Sequence, residues 1–237
     1  MRVTTSITTD DLATVSETAA RLEAAGFDAL STQENRHDPF VPLTLAAAAT
    51  ERIELATNVA IAFPRSPMVA ATTSWDLHTL SNGRFTLGLG SQIKPHNERR
   101  FSVPWSAPAP RMREYVQSIR AIFNCWQNGE RLQFEGDHYQ FTLMTPNFTP
   151  PRLDGPPPAI HIAAVGPNML GVAGRECDGA LLHGFCTRRY LEQSIMPRLD
   201  AGLQASGRVR ADFEISGGGF VATGATDEQV DRAFEFI

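Results

Sequence analysis

Residues 82–96 read NGRFTLGLGSQIKPH, which predicts a turn and then a buried strand that ends in Gly88-Leu89-Gly90. Glycine loses more backbone entropy on folding than other residues, so two glycines at a strand end indicate unusual backbone angles or a close neighbour. A dinucleotide-binding fingerprint needs a third glycine at position 93, where this chain has Ile93. Two interpretations stay open: a flat ring lies over these small residues, or packing inside a barrel requires them.

Short apolar runs alternate with amphipathic helical patterns along the chain. Repeated strand–helix units predict parallel strands joined by right-handed crossovers, as in a doubly wound sheet or a (β/α) barrel. The apolar runs cover residues 2–7, 27–32, 53–61, 84–90, 159–165, 179–185 and 213–223. Seven units favour the barrel, and an eighth is missing. We therefore expect one α/β domain over residues 1–237, a (β/α)8 barrel shortened at the C-terminus with about seven strands.

Capping signals predict where the helices begin and end. Thr8 with Asp11 resembles a capping box, Ser66-Pro67 begins another helix, and Asn82-Gly83 ends it. Residues 131–141 predict a hairpin that turns at residues 135–137. An apolar stripe predicts a helix packed on the sheet, formed by Met112, Tyr115, Val116, Ile119, Ile122, Phe123 and Trp126.

The sequence ends within a helical pattern that Thr226 caps. Its apolar stripe, which needs a partner, consists of Val230, Ala233, Phe234 and Ile237. A seven-stranded barrel also leaves a strand edge uncovered, and uncovered edges and apolar helices tend to associate. We therefore expect a homodimer or a higher homo-oligomer.

Composition and charge argue against several classes of function. The 237 residues include 26 acidic and 21 basic side chains, a net charge of −5, so nucleic acid and anionic membranes are not expected partners. The N-terminus lacks a signal-like apolar region and no segment approaches the roughly 18 apolar residues of a membrane span, which predicts a soluble cytoplasmic protein. The three cysteines and six histidines lack metal-ligand spacing, so no metal site is expected.

Polar or glycine-containing turns follow several predicted strands, at the end where parallel barrels bind ligands. In AAVGPNM (163–169), Gly166 admits a ligand close to the backbone, and the first helical turn offers free amides to a phosphate. Asn58 is a polar residue within an apolar strand, and Arg65 after it is expected to be solvated. His37 and His183 follow two other strands, and a histidine is a suitable acid–base group near neutral pH.

Three segments together resemble a known family. They are LSNGRFTLGLGSQIKPHNERRFSVPW (80–105), RMREYVQSIRAIFNCW (111–126) and IHIAAVGPNMLGVAGRECDGALLHGF (160–185). Their combined order is similar to that of the luciferase-like monooxygenase superfamily. Within it, the chain most resembles the oxidoreductases that use the deazaflavin coenzyme F420.

The resemblance implies a TIM-like barrel of the bacterial luciferase-like type, with hydride transfer between the deazaflavin C5 and an unknown small organic substrate. It implies that residues 163–169 hold the coenzyme phosphate, and that a non-proline cis peptide bond joins Asn58 to Val59 behind the ring. The protein itself would supply orientation and a proton donor. The expected cofactor-binding residues are Asn58, Val59, Gly88, Gly90, Ser91, Ala163, Ala164, Val165, Gly166, Asn168, Met169, His183 and Gly184.

The chain departs from the family's sugar-phosphate dehydrogenases. These place a catalytic histidine directly after an acid at the end of strand two, whereas here Glu34 is followed by Asn35 and the histidine is His37. They also carry an acid where this chain has Gln92 and Ile93. Glu34 and His37 are therefore the catalytic candidates, and a sugar phosphate is not the expected substrate. Two alternatives stay open: an FMN-dependent monooxygenase, and a truncated protein that binds flavin or deazaflavin without catalysis.

Overall fold

The main sheet is parallel throughout and curls into a partial barrel. The computed structural model describes residues 2–7, 11–219 and 222–235. Its strands are β1 (Thr4–Ser6), β2 (Ala29–Thr32), β3 (Glu54–Thr57), β4 (Ala60–Ile61), β5 (Phe85–Gly90), β6 (Phe134–Glu135), β7 (Gln140–Phe141), β8 (Ala159–Ala163), β9 (Gly179–Leu181) and β10 (Glu214–Ser216). Neighbours follow the order β1-β2-β3-β5-β8-β9-β10, and β4 also pairs with β5. The antiparallel pair β6–β7 is the predicted hairpin, which turns at residues 136–139.

Helices cover the outside of this sheet. They are α1 (Val15–Ala24), α2 (Phe40–Ala49), α3 (Pro67–Leu80), α4 (Lys94–Arg99), α5 (Pro108–Asn128), α6 (Pro167–Glu176), α7 (Arg188–Tyr190), α8 (Met196–Ala205) and α9 (Asp227–Phe234). Each packs on the next around the sheet in the order α1, α2, α3, α5, α6 and α8. The predicted α/β class and TIM-like architecture are therefore confirmed, with a strand of the main sheet in each of the seven apolar runs.

The partial barrel is open between β1 and β10. Within the described residues no backbone pairing joins these two strands. Arg2 spans the gap instead, since its Nη1 donates to Glu214 Oε2 at 3.2 Å and its Nη2 pairs with Glu54. Phe220 and Val221 of the last apolar run lie outside the described residues. The single domain and the homodimer stay predictions, and light scattering on the purified chain tests the second.

The capping predictions are confirmed where the residues are described. Ser66 accepts a hydrogen bond from the Met68 amide at the start of α3, and Thr226 accepts one from Gln229 at the start of α9. Thr8 and Ile237 lie outside the described residues. The side chain of Asp11 accepts from the Ala13 amide at 2.9 Å and caps a 3-10 turn at Leu12–Thr14, which precedes α1.

The apolar stripe of α5 forms the centre of the outer core. All seven predicted stripe residues are buried, with no side chain more than 2% exposed. Trp75 of α3 packs on two of them, with its ring 5.5 Å from Phe123 and 5.3 Å from Trp126, centroid to centroid. These aromatic pairs fix α3 and α5 against each other, next to β5.

The apolar run over residues 53–61 is not one continuous strand, because a bulge divides it into β3 and β4. The bulge lies where the family resemblance implies one, at Asn58-Val59. Ala56 pairs with Thr86 and Ala60 with Leu89, so three residues on one side of the bulge face two on the other. The Asn58-Val59 peptide bond within the bulge is cis, as the family resemblance implies. The Thr57 side chain replaces the backbone hydrogen bonds that the bulge interrupts, because its Oγ1 donates to the Gly88 carbonyl at 2.7 Å and accepts from the Gly88 amide at 2.9 Å.

The turn before β5 is built by three consecutive residues of the opening motif. Asn82 and Gly83 have φ of 53° and 83°, in the left-handed region, and Gly83 donates to the His78 carbonyl at 2.8 Å. These bonds end α3, as predicted. The Arg84 guanidinium then satisfies backbone carbonyls at the ends of α2 and α3 and in the loop after α2. The carbonyls that it contacts belong to Ala47, Thr50, Ile53 and Ser81.

The stability of this turn should depend on pH through His78. Burial lowers the pKa of His78 below its usual 6.5, although its ring also bonds the Phe85 carbonyl at 3.0 Å. The unfolded chain therefore takes up a proton at a pH where the native state does not. This contribution is fully present above about pH 6.5 and decreases as the pH falls, at up to about 1.4 kcal/mol per pH unit. Urea unfolding at pH 7.5, 6.0 and 5.0 measures it.

The matched variants for that measurement are His78→Asn and His96→Asn. The amide of asparagine can still donate to the Phe85 carbonyl but does not titrate, so His78→Asn should flatten the slope. His96 is exposed, and its replacement should leave the slope unchanged. Equal slopes for the native protein and His78→Asn would contradict the assignment.

Candidate functional site

Two cavities adjoin the bulge, one at the carboxyl ends of the strands and one that runs through the inside of the partial barrel. A cleft of about 570 Å³ has Val59 in its wall, and a cavity of about 1310 Å³ inside the partial barrel has Asn58 in its wall. The cleft contains eight of the predicted cofactor-binding residues, namely Val59, Gly90, Ser91, Ala163, Val165, Gly166, Asn168 and Met169. The structure therefore brings together residues from β5, β8 and the α6 N-terminus that are far apart in sequence.

Three predicted residues line neither cavity. Ala164 is 1% exposed and packs in the core, where its amide donates to the Leu181 carbonyl at 3.1 Å. His183 is exposed, and its Nδ1 accepts from the Phe185 amide at 3.0 Å, so its ring caps a loop. Gly88 is buried beneath the bulge. Gly184 lines the larger cavity with Asn58, not the cleft.

The lack of a side chain at Gly88 is required by the neighbouring strand. A Cβ there would lie 1.9 Å from the Thr57 carbonyl oxygen and 2.9 Å from Leu181 Cδ1. At Gly90 a Cβ would meet the side chain of Val59, 2.5 Å from its Cγ2, at the wall of the cleft. Packing therefore explains Gly88. Packing against Val59 also restricts Gly90, and a ring lying over Gly90 at the cleft stays a prediction.

The N-terminus of α6 forms one end of the cleft. Gly166 precedes the helix with φ −87° and ψ 162°, an extended conformation that most residues adopt. A Cβ built at Gly166 has no atom within 4 Å, so the space beside it is open. The amides of a helix's first turn lack intrahelical partners and carry a partial positive charge, which suits an anionic group.

The loop after β5 forms another wall, and Asn97 fixes its path. Asn97 is fully buried, and its Nδ2 donates to the carbonyls of Ser91 and Ile93 at 3.0 and 3.1 Å. Gln92 between them has φ 56°. Ser91, Gln92 and Ile93 all line the cleft, and Ile93 is 57% exposed. The amide side chain of Asn97 thus holds the backbone of this wall.

Glu34 takes part in a small ionic network next to the bulge. Its Oε2 accepts from the Ile61 amide at 2.7 Å and from Arg65 at 2.6 Å, and Arg65 also donates to Asp38 at 2.8 Å. Burial alone would lower the pKa of Arg65, but its bonds to Glu34 and Asp38 raise it above the usual value. The expectation that Arg65 is solvated was therefore wrong, because two carboxylates hold its guanidinium. Through these contacts Glu34 holds the β4 segment in place.

Replacing Arg65 should destabilise the protein through this network. Arg65→Met leaves the Glu34 carboxylate, whose side chain is only 8% exposed, without its cation. We expect the free energy of unfolding to fall by about 2 kcal/mol, less than for a fully buried pair because Asp38 is exposed to water. In the double variant Glu34→Gln, Arg65→Met the buried charge is absent, so part of the loss should return. Urea unfolding at pH 7.5 measures both, and an additive double variant would contradict the coupling.

The second catalytic candidate, His37, lies in the loop between β2 and α2. It is half-buried and lines neither cavity. A catalytic role for His37 stays a prediction without a supporting contact.

Sequence reasoning missed the residues of α5 that line the cleft. They are Ala107, Pro108, Ala109 and Pro110, which begin α5. The signal was Pro108, since proline favours the first turn of a helix and this turn lies at the ligand-binding end. Among the described residues, no helix is long and apolar enough to span a membrane, and no group of acidic, histidine and cysteine side chains forms a metal site.

Comparison with known proteins agrees with this geometry. The family model described as luciferase-like monooxygenase matches residues 1–237. An uncharacterized protein of Mycobacterium tuberculosis is 50% identical over 224 residues, which cover 94% of this chain and 66% of the relative. The F420-dependent glucose-6-phosphate dehydrogenase of Intrasporangium calvum is 30% identical over 208 residues, which cover 82% of this chain and 60% of that enzyme.

Solved structures show the same fold at low identity. The EDTA monooxygenase from Chelativorans sp. superposes with a TM-score of 0.80 at 16% identity, over 100% of this chain and 65% of that one. The chain thus spans about two thirds of the length of the proteins that it matches. From the family match, the shared fold and the position of the cleft, we conclude that the chain belongs to the luciferase-like monooxygenase family.

Proposed function

We propose that this chain binds coenzyme F420 and serves an F420-dependent oxidoreductase that transfers a hydride to or from a small organic substrate. The observation that carries the proposal is the cleft, which joins apolar walls to the N-terminus of α6. Its volume of about 570 Å³ lies within the range of sites for ligands the size of a cofactor.

The residues present fit a flat ring system that carries a phosphate. Val59, Ile61, Ala163 and Val165 offer apolar surface to a ring, and the α6 N-terminus faces the position where a phosphate would be attached. The open space beside Gly166 is where a side chain would otherwise obstruct that phosphate. A bound deazaflavin supplies the hydride chemistry, because its C5 accepts or donates the hydride.

The larger cavity, which also adjoins the bulge, provides space for the substrate. Asn58, Ser31, Gln33 and His161 line it with polar groups. Burial lowers the pKa of His161, although the nearby charges of Glu214 and Asp178 oppose this. These groups can orient a polar substrate.

We choose F420 over FMN because a relative named for its use of F420 is more similar in sequence to this chain than the monooxygenase of solved structure is. The dehydrogenase of Intrasporangium calvum is F420-dependent by name, whereas the likeness to the EDTA monooxygenase concerns the fold alone. A deazaflavin also reacts poorly with oxygen, which favours a dehydrogenase or reductase over a monooxygenase.

Separate titrations of the purified chain with F420 and FMN test the proposal. Coenzyme fluorescence should report saturable F420 binding, with FMN at least tenfold weaker. Tight FMN binding without F420 binding would overturn the proposal and favour the monooxygenase alternative. F420 binding without turnover for any hydride donor or acceptor would instead favour the non-catalytic alternative.

A further inference from the structure

Arg111, the fourth residue of α5, joins three separate segments of the chain. Its Nε donates to the Tyr139 hydroxyl at 2.9 Å, and its Nη1 donates to the Pro104 carbonyl at 3.1 Å. Its Nη2 lies 3.5 Å from the Phe63 carbonyl oxygen, and its Cζ lies 4.5 Å from the centroid of the Phe63 ring. The planar guanidinium thus bonds the hairpin and the loop before α5, and it stacks on the loop after β4.

Two of these segments lead directly into walls of the cleft. Residues 107–110, which line the cleft at the start of α5, lie between Pro104 and Arg111 in the sequence. Ile61 of β4 also lines the cleft, two residues before Phe63. Phe63 is only 4% exposed, and neither it nor Arg111 lines the cleft. Arg111 therefore connects the α5 wall to the β4 wall from outside the ligand space.

The hairpin of β6 and β7 gives Arg111 a fixed anchor. Glu114 is 4% exposed, and its Oε2 accepts from the His138 amide at 2.7 Å, in the turn of the hairpin. The Tyr139 ring packs edge-on against the fully buried Tyr115, with the centroids 5.6 Å apart. These contacts hold Tyr139 against α5, so its hydroxyl presents a fixed acceptor to Arg111.

Ion pairing does not account for the choice of arginine at this position. Among the described residues no carboxylate forms an ion pair with Arg111, whereas Arg65 and Arg120 both have one. A cation near the start of a helix also interacts unfavourably with the helix dipole. The oxygens that Arg111 contacts are neutral and point from different directions, which suits a planar fork of donors but not the single ammonium of lysine.

From these contacts we infer that Arg111 is a positioning residue, which fixes the α5 wall of the cleft relative to the β4 wall. A wall that is already ordered before binding adds affinity, because the ligand does not have to order it. The inference rests on the proposed function for the place of the coenzyme ring. It does not depend on the choice between F420 and FMN, since both carry a flat ring.

Arg111→Lys and Arg120→Lys form a matched pair of variants for the test. Arg120 is also half-buried on α5, and it donates to the Glu176 carbonyl at 2.8 Å and to Asp178 at 3.0 Å, away from the cleft. Both variants keep the charge, lose the fork of donors and should lower the stability measured by urea unfolding. Fluorescence titration should show about tenfold weaker F420 binding for Arg111→Lys and native affinity for Arg120→Lys.

The fluorescence anisotropy of the bound coenzyme reports the wall directly, at saturating protein. A looser wall allows the ring more motion, so the anisotropy should fall in Arg111→Lys and keep its native value in Arg120→Lys. Tyr139→Phe is the milder second variant, because it removes one hydrogen bond of Arg111 and keeps the ring that packs on Tyr115. It should lower the affinity by about threefold, and it decides the question if Arg111→Lys does not fold.

The outcomes separate this inference from the proposed function. Native affinity and anisotropy in Arg111→Lys or, where that variant does not fold, in Tyr139→Phe would overturn the inference and leave F420 binding intact. Equal losses in Arg111→Lys and Arg120→Lys would also overturn it, because they would report general destabilisation. Binding of FMN alone would overturn the choice of F420, and the same variants titrated with FMN would then decide the inference. Binding of neither coenzyme would overturn both.

Discussion

Replacing Gly88 by alanine is expected to reduce the free energy of unfolding by more than 3 kcal/mol, enough to unfold a large fraction of a marginally stable protein. The new methyl group would lie 1.9 Å from the Thr57 carbonyl oxygen. Because this atom belongs to the backbone, no change of rotamer can relieve the clash, and β3 and β5 must separate. Their separation would break both hydrogen bonds between Gly88 and Thr57 Oγ1.

Gly90→Ala is the matched control on the same strand. Its Cβ would meet the Val59 side chain, 2.5 Å from Cγ2, and a side chain can rotate or shift. We expect a loss of about 1 to 2 kcal/mol for this variant. Urea unfolding at pH 7.5 compares the two. A cost for Gly88→Ala equal to or below that of Gly90→Ala would contradict the packing explanation.

The second large effect concerns binding rather than stability. Gly166→Val should weaken binding of F420 about 100-fold while the protein stays as stable as the native chain. The backbone at Gly166 is extended and the space beside it is empty, so the fold accepts valine. The branched side chain would occupy space at the α6 N-terminus and displace the phosphate from its amide donors. Two lost charge-assisted hydrogen bonds correspond to about 3 kcal/mol, or about 100-fold.

Gly155→Val serves as the control for this experiment. A Cβ at Gly155 also has no atom within 4 Å, and the residue lies in the proline-rich loop, outside the cleft. Fluorescence titration gives the affinity of both variants and urea unfolding gives their stability. Native affinity in Gly166→Val would show that the α6 N-terminus does not hold the coenzyme.

Local patterns were sufficient to predict much of the fold. The strand–helix alternation, Ser66 at the start of α3 and the left-handed Asn82-Gly83 turn all depend on neighbours within a few residues. The bulge is different. It depends on the hydrogen bonds between Thr57 and Gly88 of the neighbouring strand, and this contact exists only after the sheet has formed. Residue types alone predicted a continuous strand there.

The site was predicted less completely, for the same physical reason. Gly166 could be named as a candidate because a glycine and proline after a strand are typical of an anion-binding helix start. Glu34 is a plausible catalyst by residue type, but its partner Arg65 is distant in sequence and holds it in an ion pair. The wall at the start of α5 was not found, because residues 107–110 are distant in sequence from the β8–α6 wall that they adjoin in the fold.

Asn97 fixes the backbone of the cleft wall, so the path of that backbone does not depend on the side chains that the wall carries. Since its buried amide holds the carbonyls of Ser91 and Ile93, the course of the loop does not rely on which side chain projects from Ile93. The shape of the cleft can therefore be altered at this position by mutagenesis without rebuilding the barrel. A library at Ile93 is a direct way to look for new ligands, whereas Gln92, at φ 56°, should accept chiefly glycine and asparagine.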